Sequence, residues 1–328
     1  MSEITIYIII LIATVAILNS NFSFGAVFKP HVKDQSLLVI EHLSQYTTRK
    51  KDYRKTPKNF SSFGYAVHGR IVDEDVFLEY KFPLVDSHES QFKIKLNVKT
   101  TSSIINNYGC KTYCFAPVSE GTYALQSNDA QFLTKNMNKD GFYFRGFGNR
   151  DYGINHNEVI KLSDEINYAV ASFIESELKR IGKDSYENRI RAALNFVQFI
   201  PYGIPDFDAG EDCYFGLALP HESLAISYSD CDSKSVLFAG ILHHLISEQN
   251  IILVGCTIDE GGHMIAGVAG IYFTGQYFNH QGKDYLLIET TTPIALENQP
   301  SNRFLDVEII SIKQQERTRY DRMVRQFR

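Results

Sequence analysis

Between residues 158 and 290 the chain places its helices first and its strands afterwards, and that order restricts the fold more than any other feature. Across 158–181, Ile166, Val170, Phe173, Ile174 and Leu178 recur at helical spacing, and Gly182 closes the stretch. Across 185–199, Ile190, Leu194 and Val197 mark a second apolar face, which ends before Pro201 and Gly203. A loop rich in Gly, Asp and Pro, 202–220, leads to a third helical run at 236–246. Strands are then expected near 251–258, 263–273 and 284–290. Helices and strands segregated in this way predict an α+β domain over 158–310, with helices packed on an antiparallel sheet.

Upstream the pattern changes. Phe92, Ile94, Leu96 and Val98 alternate with Lys93, Lys95, Asn97 and Lys99, the signature of a half-buried strand with one wet face. Residues 65–72 and 76–84 read similarly, so 64–153 is expected to be a small β-rich domain. Gly146 and Gly148 do not make a dinucleotide fingerprint, because no strand leads into a helix at the required spacing; they read as turn glycines. Trp is absent, and 23 Phe and 19 Tyr supply the large apolar surfaces. A net charge of −5 gives no case for nucleic-acid binding.

Residues 29–63 are polar and basic and read as a linker; 311–328 read as a basic tail. The uncharged run 4–18 is shorter than the roughly 20 residues of a membrane span and fits the apolar part of a signal peptide. Residues 1–28 are therefore expected to be a signal peptide or membrane anchor, placing the body outside the cytoplasm. The lysines and arginines that follow the run, from Lys29 to Lys58, argue the other way by the positive-inside rule.

The chemistry centres on Cys231, in Tyr228-Ser229-Asp230-Cys231-Asp232-Ser233-Lys234-Ser235, at the start of the third helix. Unpaired N–H groups and the positive end of the helix dipole favour a thiolate there. His263 follows Gly261 and Gly262 and opens an apolar strand, so it is the candidate base and ion-pair partner. Glu289 follows Tyr285-Leu286-Leu287-Ile288, and a carboxylate there is placed to fix the imidazole tautomer. Thiol, imidazole and carboxylate together suit acyl transfer on an amide carbonyl, with Gln198 as a candidate oxyanion donor and Tyr202 as an alternative. Each residue also has a plainer reading: a buried structural cysteine, a turn histidine, an exposed strand-end glutamate, a surface amide.

Five segments occur in order: Asn195-Phe196-Val197-Gln198-Phe199-Ile200-Pro201-Tyr202, Leu219-Pro220-His221-Glu222-Ser223-Leu224, Asp230-Cys231-Asp232, Gly262-His263-Met264-Ile265-Ala266-Gly267-Val268, and the stretch 285–291. In these the chain resembles the transglutaminase-like superfamily, specifically a prokaryotic branch often found outside the cytoplasm. The resemblance covers roughly 158–300. It implies a papain-like core with Cys231 as nucleophile on a helix, and with His263 as base and Glu289 as third member on adjacent strands. The superfamily more often has Asp in that third place, and Glu is one methylene longer. It implies a cysteine peptidase, amidase or transglutaminase-like hydrolase or acyltransferase acting on a protein or peptide, without a cofactor.

Metal readings are weaker. His243 and His244 are neighbours on a helix and point about 100° apart, no His-Glu-x-x-His pair exists, and Cys110 and Cys114 lack a second ligand pair. Cys256 reads as an inert strand thiol, and the odd count of five cysteines leaves at least one unpaired. A non-catalytic binding or scaffold protein of the cell envelope, keeping the same fold, is the alternative to an enzyme.

Overall fold

The computed structural model describes residues 67–72, 75–97, 99–101, 104, 115–119, 122–125, 142–145, 151–154, 156–203, 217–226, 228–258 and 261–310. The expected signal peptide or anchor, the linker, the basic tail, Gly146, Gly148, Cys110, Cys114 and Cys213 lie outside them. Among the described residues no helix is long and apolar enough to cross a membrane.

The architecture is α+β with curled antiparallel sheets. Strands β1 (Val67–Val72), β2 (Asp75–Val85) and β3 (His88–Asn97) form one three-stranded sheet in that order. Strands β4 (Phe115–Ser119), β5 (Thr122–Leu125), β6 (Phe142–Arg145) and β7 (Asp151–Ile154) form a second, ordered β4-β5-β7-β6. Among the described residues five α-helices follow: α1 (His156–Leu162), α2 (Asp164–Arg180), α3 (Tyr186–Gln198), α4 (Pro220–Ile226) and α5 (Cys231–Leu245). The third sheet comes last, from β8 (Ile251–Ile258), β9 (Gly261–Ala269), β10 (Tyr277–His280), β11 (Lys283–Ile288) and β12 (Leu305–Ile310), ordered β10-β11-β9-β8-β12.

The single helix expected over 158–181 is broken at Ser163, which adopts φ −109° and ψ 14°. The cause is local. The Asn167 amide donates to Ile160 O at 3.2 Å, the carbonyl that would otherwise hold the ladder at residue 164. At its far end α2 closes as a Schellman motif. Lys183 N–H reaches Leu178 O, Gly182 N–H reaches Lys179 O, and Gly182 takes φ 68°.

Alternation along β9 divides the core into two faces. Met264, Ala266 and Val268 join the main core, whereas Ile265 and Ala269 join a second cluster with Cys256, Leu287 and Phe304. Helix α5 packs on β8 and β9 and against α2 and α3. Its residues Ser233 to Leu242 are all buried, as expected of a helix with no polar face. Gly240 marks the closest approach to α2: a Cβ there would lie 2.3 Å from Asn167 Nδ2.

The main core runs across the boundary expected near 153. Side chains of β2 and β3 pack with those of α2 and α3 around Phe196, whose ring lies 5.1 Å from Phe82 and 5.8 Å from both Tyr80 and Phe92. A buried Phe is worth about 1.5–3 kcal/mol, so this cluster binds the first sheet to the helices without any Trp. The Tyr80 hydroxyl is satisfied by donating to Leu224 O at 2.6 Å, which ties β2 to α4.

Candidate active site

Strands β9 and β11 pair from Tyr285↔Ala269 to Ile288↔Ala266 and no further. Beyond that point β9 and the segment 289–291 no longer hydrogen-bond as strands, and the N-terminal turn of α5 occupies the gap between them. Ser235 Oγ donates to Met264 O at 3.0 Å on one side and meets Thr290 Oγ1 at 2.9 Å on the other. One turn earlier on the same helix face, the Cys231 sulfur receives the backbone N–H of Met264. A strand residue presents its N–H and C=O on the same side, so both groups of Met264 serve α5. Cys231, His263 and Glu289 all border this gap.

Asp230 fixes the start of α5. Its carboxylate accepts from Ser233 N–H at 3.0 Å, a standard N-cap worth about 1 kcal/mol. Cys231 is the first residue of the helix and is partly exposed, and its thiol donates to Asp232 Oδ1 at 3.3 Å. The expected acidification by the helix N-terminus is overridden. Burial, then the charges of Asp232 and Asp230, push the thiol well above its ordinary range, and the Met264 N–H only partly offsets them. The resting thiol is therefore neutral.

The imidazole and carboxylate are joined. His263 Nε2 lies 2.9 Å from Glu289 Oε2, with both side chains almost wholly buried. A nitrogen facing a carboxylate carries the hydrogen, so Nε2 is the donor in this contact. The Phe304 ring stacks on the imidazole at 6.5 Å and 14°. Glu289 Oε1 accepts from Thr291 N–H at 2.8 Å and from Thr291 Oγ1 at 2.6 Å, and Arg303 Nη1 stands 3.7 Å from Oε2. Burial alone would raise this carboxyl. The hydrogen bond and charge of His263, with the Thr291 donors, reverse that and hold it at about 2.

Gln198 departs from its expected role as oxyanion donor. Its amide donates to Glu289 O at 2.8 Å and Ile294 O at 3.1 Å, so both hydrogens are committed. It is a strap between α3 and the 289–294 loop. Gln299 braces the same loop, accepting from Glu289 N–H at 2.8 Å and donating to Ala295 O at 3.0 Å.

Three neighbours escaped the sequence reading or were underweighted in it. Lys234 is wholly buried and donates to Ile200 O at 2.6 Å, Gln198 O at 3.3 Å and Thr291 O at 3.4 Å. Burial lowers its ammonium to about 7, against the opposing pull of Glu289. A lysine entering an otherwise apolar helix was the available signal, since a buried lysine is rare without partners. Tyr202 is bridged to Ser229, two residues before the thiol. Burial, then the charges of Cys231, Asp230, Asp232 and Glu289, raise its hydroxyl, so it stays a neutral donor. Asp232 is raised by its own burial, against the thiol hydrogen bond and the pull of His263.

Cys256 lies opposite His263 across β8 and β9, with its sulfur 3.6 Å from His263 O, and burial raises it to about 11. That is the environment of an unreactive thiol. His244 Nε2 meets Asp164 Oδ1 at 3.0 Å, away from the gap. Among the described residues no group of three or more His, Cys, Asp or Glu side chains is arranged to hold a metal ion.

Comparison of the chain with protein-family models, with curated proteins and with solved structures finds no match.

Proposed function

We propose that the protein is a cysteine-dependent acyl-transfer enzyme of papain-like, transglutaminase-like type, acting on amide bonds of a protein or peptide outside the cytoplasm. The observation that carries this reading is the 2.9 Å bond between His263 Nε2 and Glu289 Oε2, beside a sulfur lodged on the N–H of the next residue, Met264. A buried imidazole with a carboxylate on one nitrogen has its other nitrogen available as a base.

Because the thiol rests neutral, the reaction proceeds by general-base assistance rather than from a standing ion pair. Nδ1 of His263 takes the S–H proton as sulfur attacks the amide carbonyl. Glu289, ionised far below neutral pH, balances the imidazolium that results. The tetrahedral oxyanion is met by the N–H of Cys231, one of the orphan donors of the first helical turn, and by the Tyr202 hydroxyl. The imidazolium then returns its proton to the leaving amine, and water or a second amine releases the acyl group from sulfur.

The competing reading, a scaffold or binding module of the cell envelope that retains the fold, draws on the raised thiol. The two part on reaction with p-nitrophenyl acetate. An enzyme gives a burst of p-nitrophenolate of one equivalent per chain. The burst is abolished in Cys231→Ser and slowed about a hundredfold or more in His263→Ala, the size of general-base assistance. A scaffold gives no burst, and a slow release equal in all three proteins would sink the enzyme reading.

A further inference from the structure

We propose that Asp232 is a second carboxylate of the site, one that holds the Cys231 hydrogen in the resting protein and faces the His263 ring once that proton has moved. The inference rests on the acyl-transfer reading above and assigns a new role beside that nucleophile.

The two aspartates flanking the cysteine are not equivalent. Asp230 is committed to capping α5 through Ser233 N–H at 3.0 Å. Among the described residues Asp232 has one side-chain hydrogen-bond partner, the thiol, whose sulfur lies 3.3 Å from its Oδ1. It also stands within electrostatic reach of His263 on β9. The other titratable groups whose charge couples to the thiol are Asp230 from the cap and Tyr202 from the segment after α3. Neither is a cation, and Lys234 turns instead to the carbonyls of Gln198, Ile200 and Thr291.

The chemistry follows from this placement. With the S–H directed at Asp232, the sulfur is a weak nucleophile toward small electrophiles. When a substrate carbonyl draws the sulfur forward, the proton goes from Sγ to Nδ1 of His263. Asp232 exchanges a hydrogen bond to a neutral thiol for attraction to an imidazolium and never itself carries the proton. The imidazolium is then flanked by carboxylates on both sides, Glu289 at Nε2 and Asp232 toward the sulfur. Asp232 thus suppresses the idle thiol and favours the charge pattern formed during reaction.

Alkylation by iodoacetamide tests this without a natural substrate. Rates at Cys231 are read between pH 6 and 9 by peptide mass spectrometry, with Cys256 as the internal reference. Removing a like charge at this range lowers a thiol's pKa by about one to two pH units. Thiolate population then rises tenfold per unit while nucleophilicity falls, so the net gain is about three- to tenfold at pH 7. Asp232→Asn is expected to show that acceleration at Cys231 alone, and Asp232→Glu to restore slow labelling. If Asp232→Asn does not fold, Asp232→Ser is read in the same way. Labelling of the uncharged variant within about twofold of the parent at every pH overturns the proposal. His263→Ala separates the two ideas. An undiminished p-nitrophenyl acetate burst in it, alongside a fast Asp232→Asn, would remove the acyl-transfer reading and leave the thiol–carboxylate contact standing.

Discussion

At the sheet end of the gap, Glu289 accepts three hydrogen bonds and its charge is held against burial. At the helix end, Cys231 lies between two carboxylates and its charge is suppressed by burial. The imidazole–carboxylate pair is thus assembled in advance, whereas in the proposed reaction the thiol is made ready only when a proton has somewhere to go. Burial alone does not decide whether a group ionises. Glu289 is wholly buried and Cys231 is partly so, and the difference lies in the sign of the neighbours each was given. Lys234 extends the contrast: a buried cation held by three carbonyls, with its proton loosened rather than secured.

The strongest way to break this contrast is Glu289→Gln. An amide in that position keeps the shape but not the charge that balances the imidazolium. Acylation by p-nitrophenyl acetate should fall about a hundred- to ten-thousandfold. Loss of less than about threefold would show that the carboxylate is merely buried structure.

Stability against pH should separate the two buried charges by the window in which each acts. The folded Glu289 carboxyl, at about 2, lies below its ordinary 4.5. Its contribution, about 3 kcal/mol by linkage, is full above pH 4.5 and is lost as pH falls through 2. Lys234 gives the same slope in a higher window. With a folded value of about 7 against an ordinary 10.5, the unfolded chain binds more protons between those limits, so stability rises with pH across that window. Urea midpoints of the parent minus those of Glu289→Gln should therefore shrink in acid, and the parent minus Lys234→Met difference should grow from pH 7 toward 10. A flat difference in either case contradicts the assignment of that charge.

The smallest effect sharpens the boundary between reacting and supporting groups. Gln198→Ala orphans the carbonyl of Glu289, leaves Ile294 O only its 3.4 Å bond from Gln299, and should cost about 1–3 kcal/mol of stability. Its acylation rate should fall less than about tenfold, far short of the loss expected for an oxyanion donor. A loss of several hundredfold in a folded variant would return Gln198 to the reacting groups.

Much of the fold was legible because its signals are periodic. The helices at 185–199 and after Cys231, the alternating strand around Phe92 and the buried strands from Ile251 onward follow directly from apolar spacing. Cys231, His263 and Glu289 were legible as residue types at element ends. What escaped depends on groups that meet only in three dimensions. The break at Ser163 needs the Asn167 amide to reach Ile160 O, and the commitment of Gln198 needs the 289–294 loop beside α3. The raised thiol needs Asp232 turned toward a partly buried sulfur. Strands β10 and β12 were missed because both are short and lie at the sheet edges, where one side of the ladder has no partner to enforce a pattern.

The most direct test of His263 as the base acting on Cys231 is chemical rescue. His263→Ala is mixed with p-nitrophenyl acetate with and without free imidazole, and the acetyl group is located by peptide mass spectrometry. Imidazole should restore acetylation at Cys231 and at none of the other four cysteines, with no such restoration in Cys231→Ser. Acetylation that imidazole leaves unchanged at Cys231, or raises equally at Cys256, would contradict the pairing of ring and sulfur on which the proposed chemistry depends.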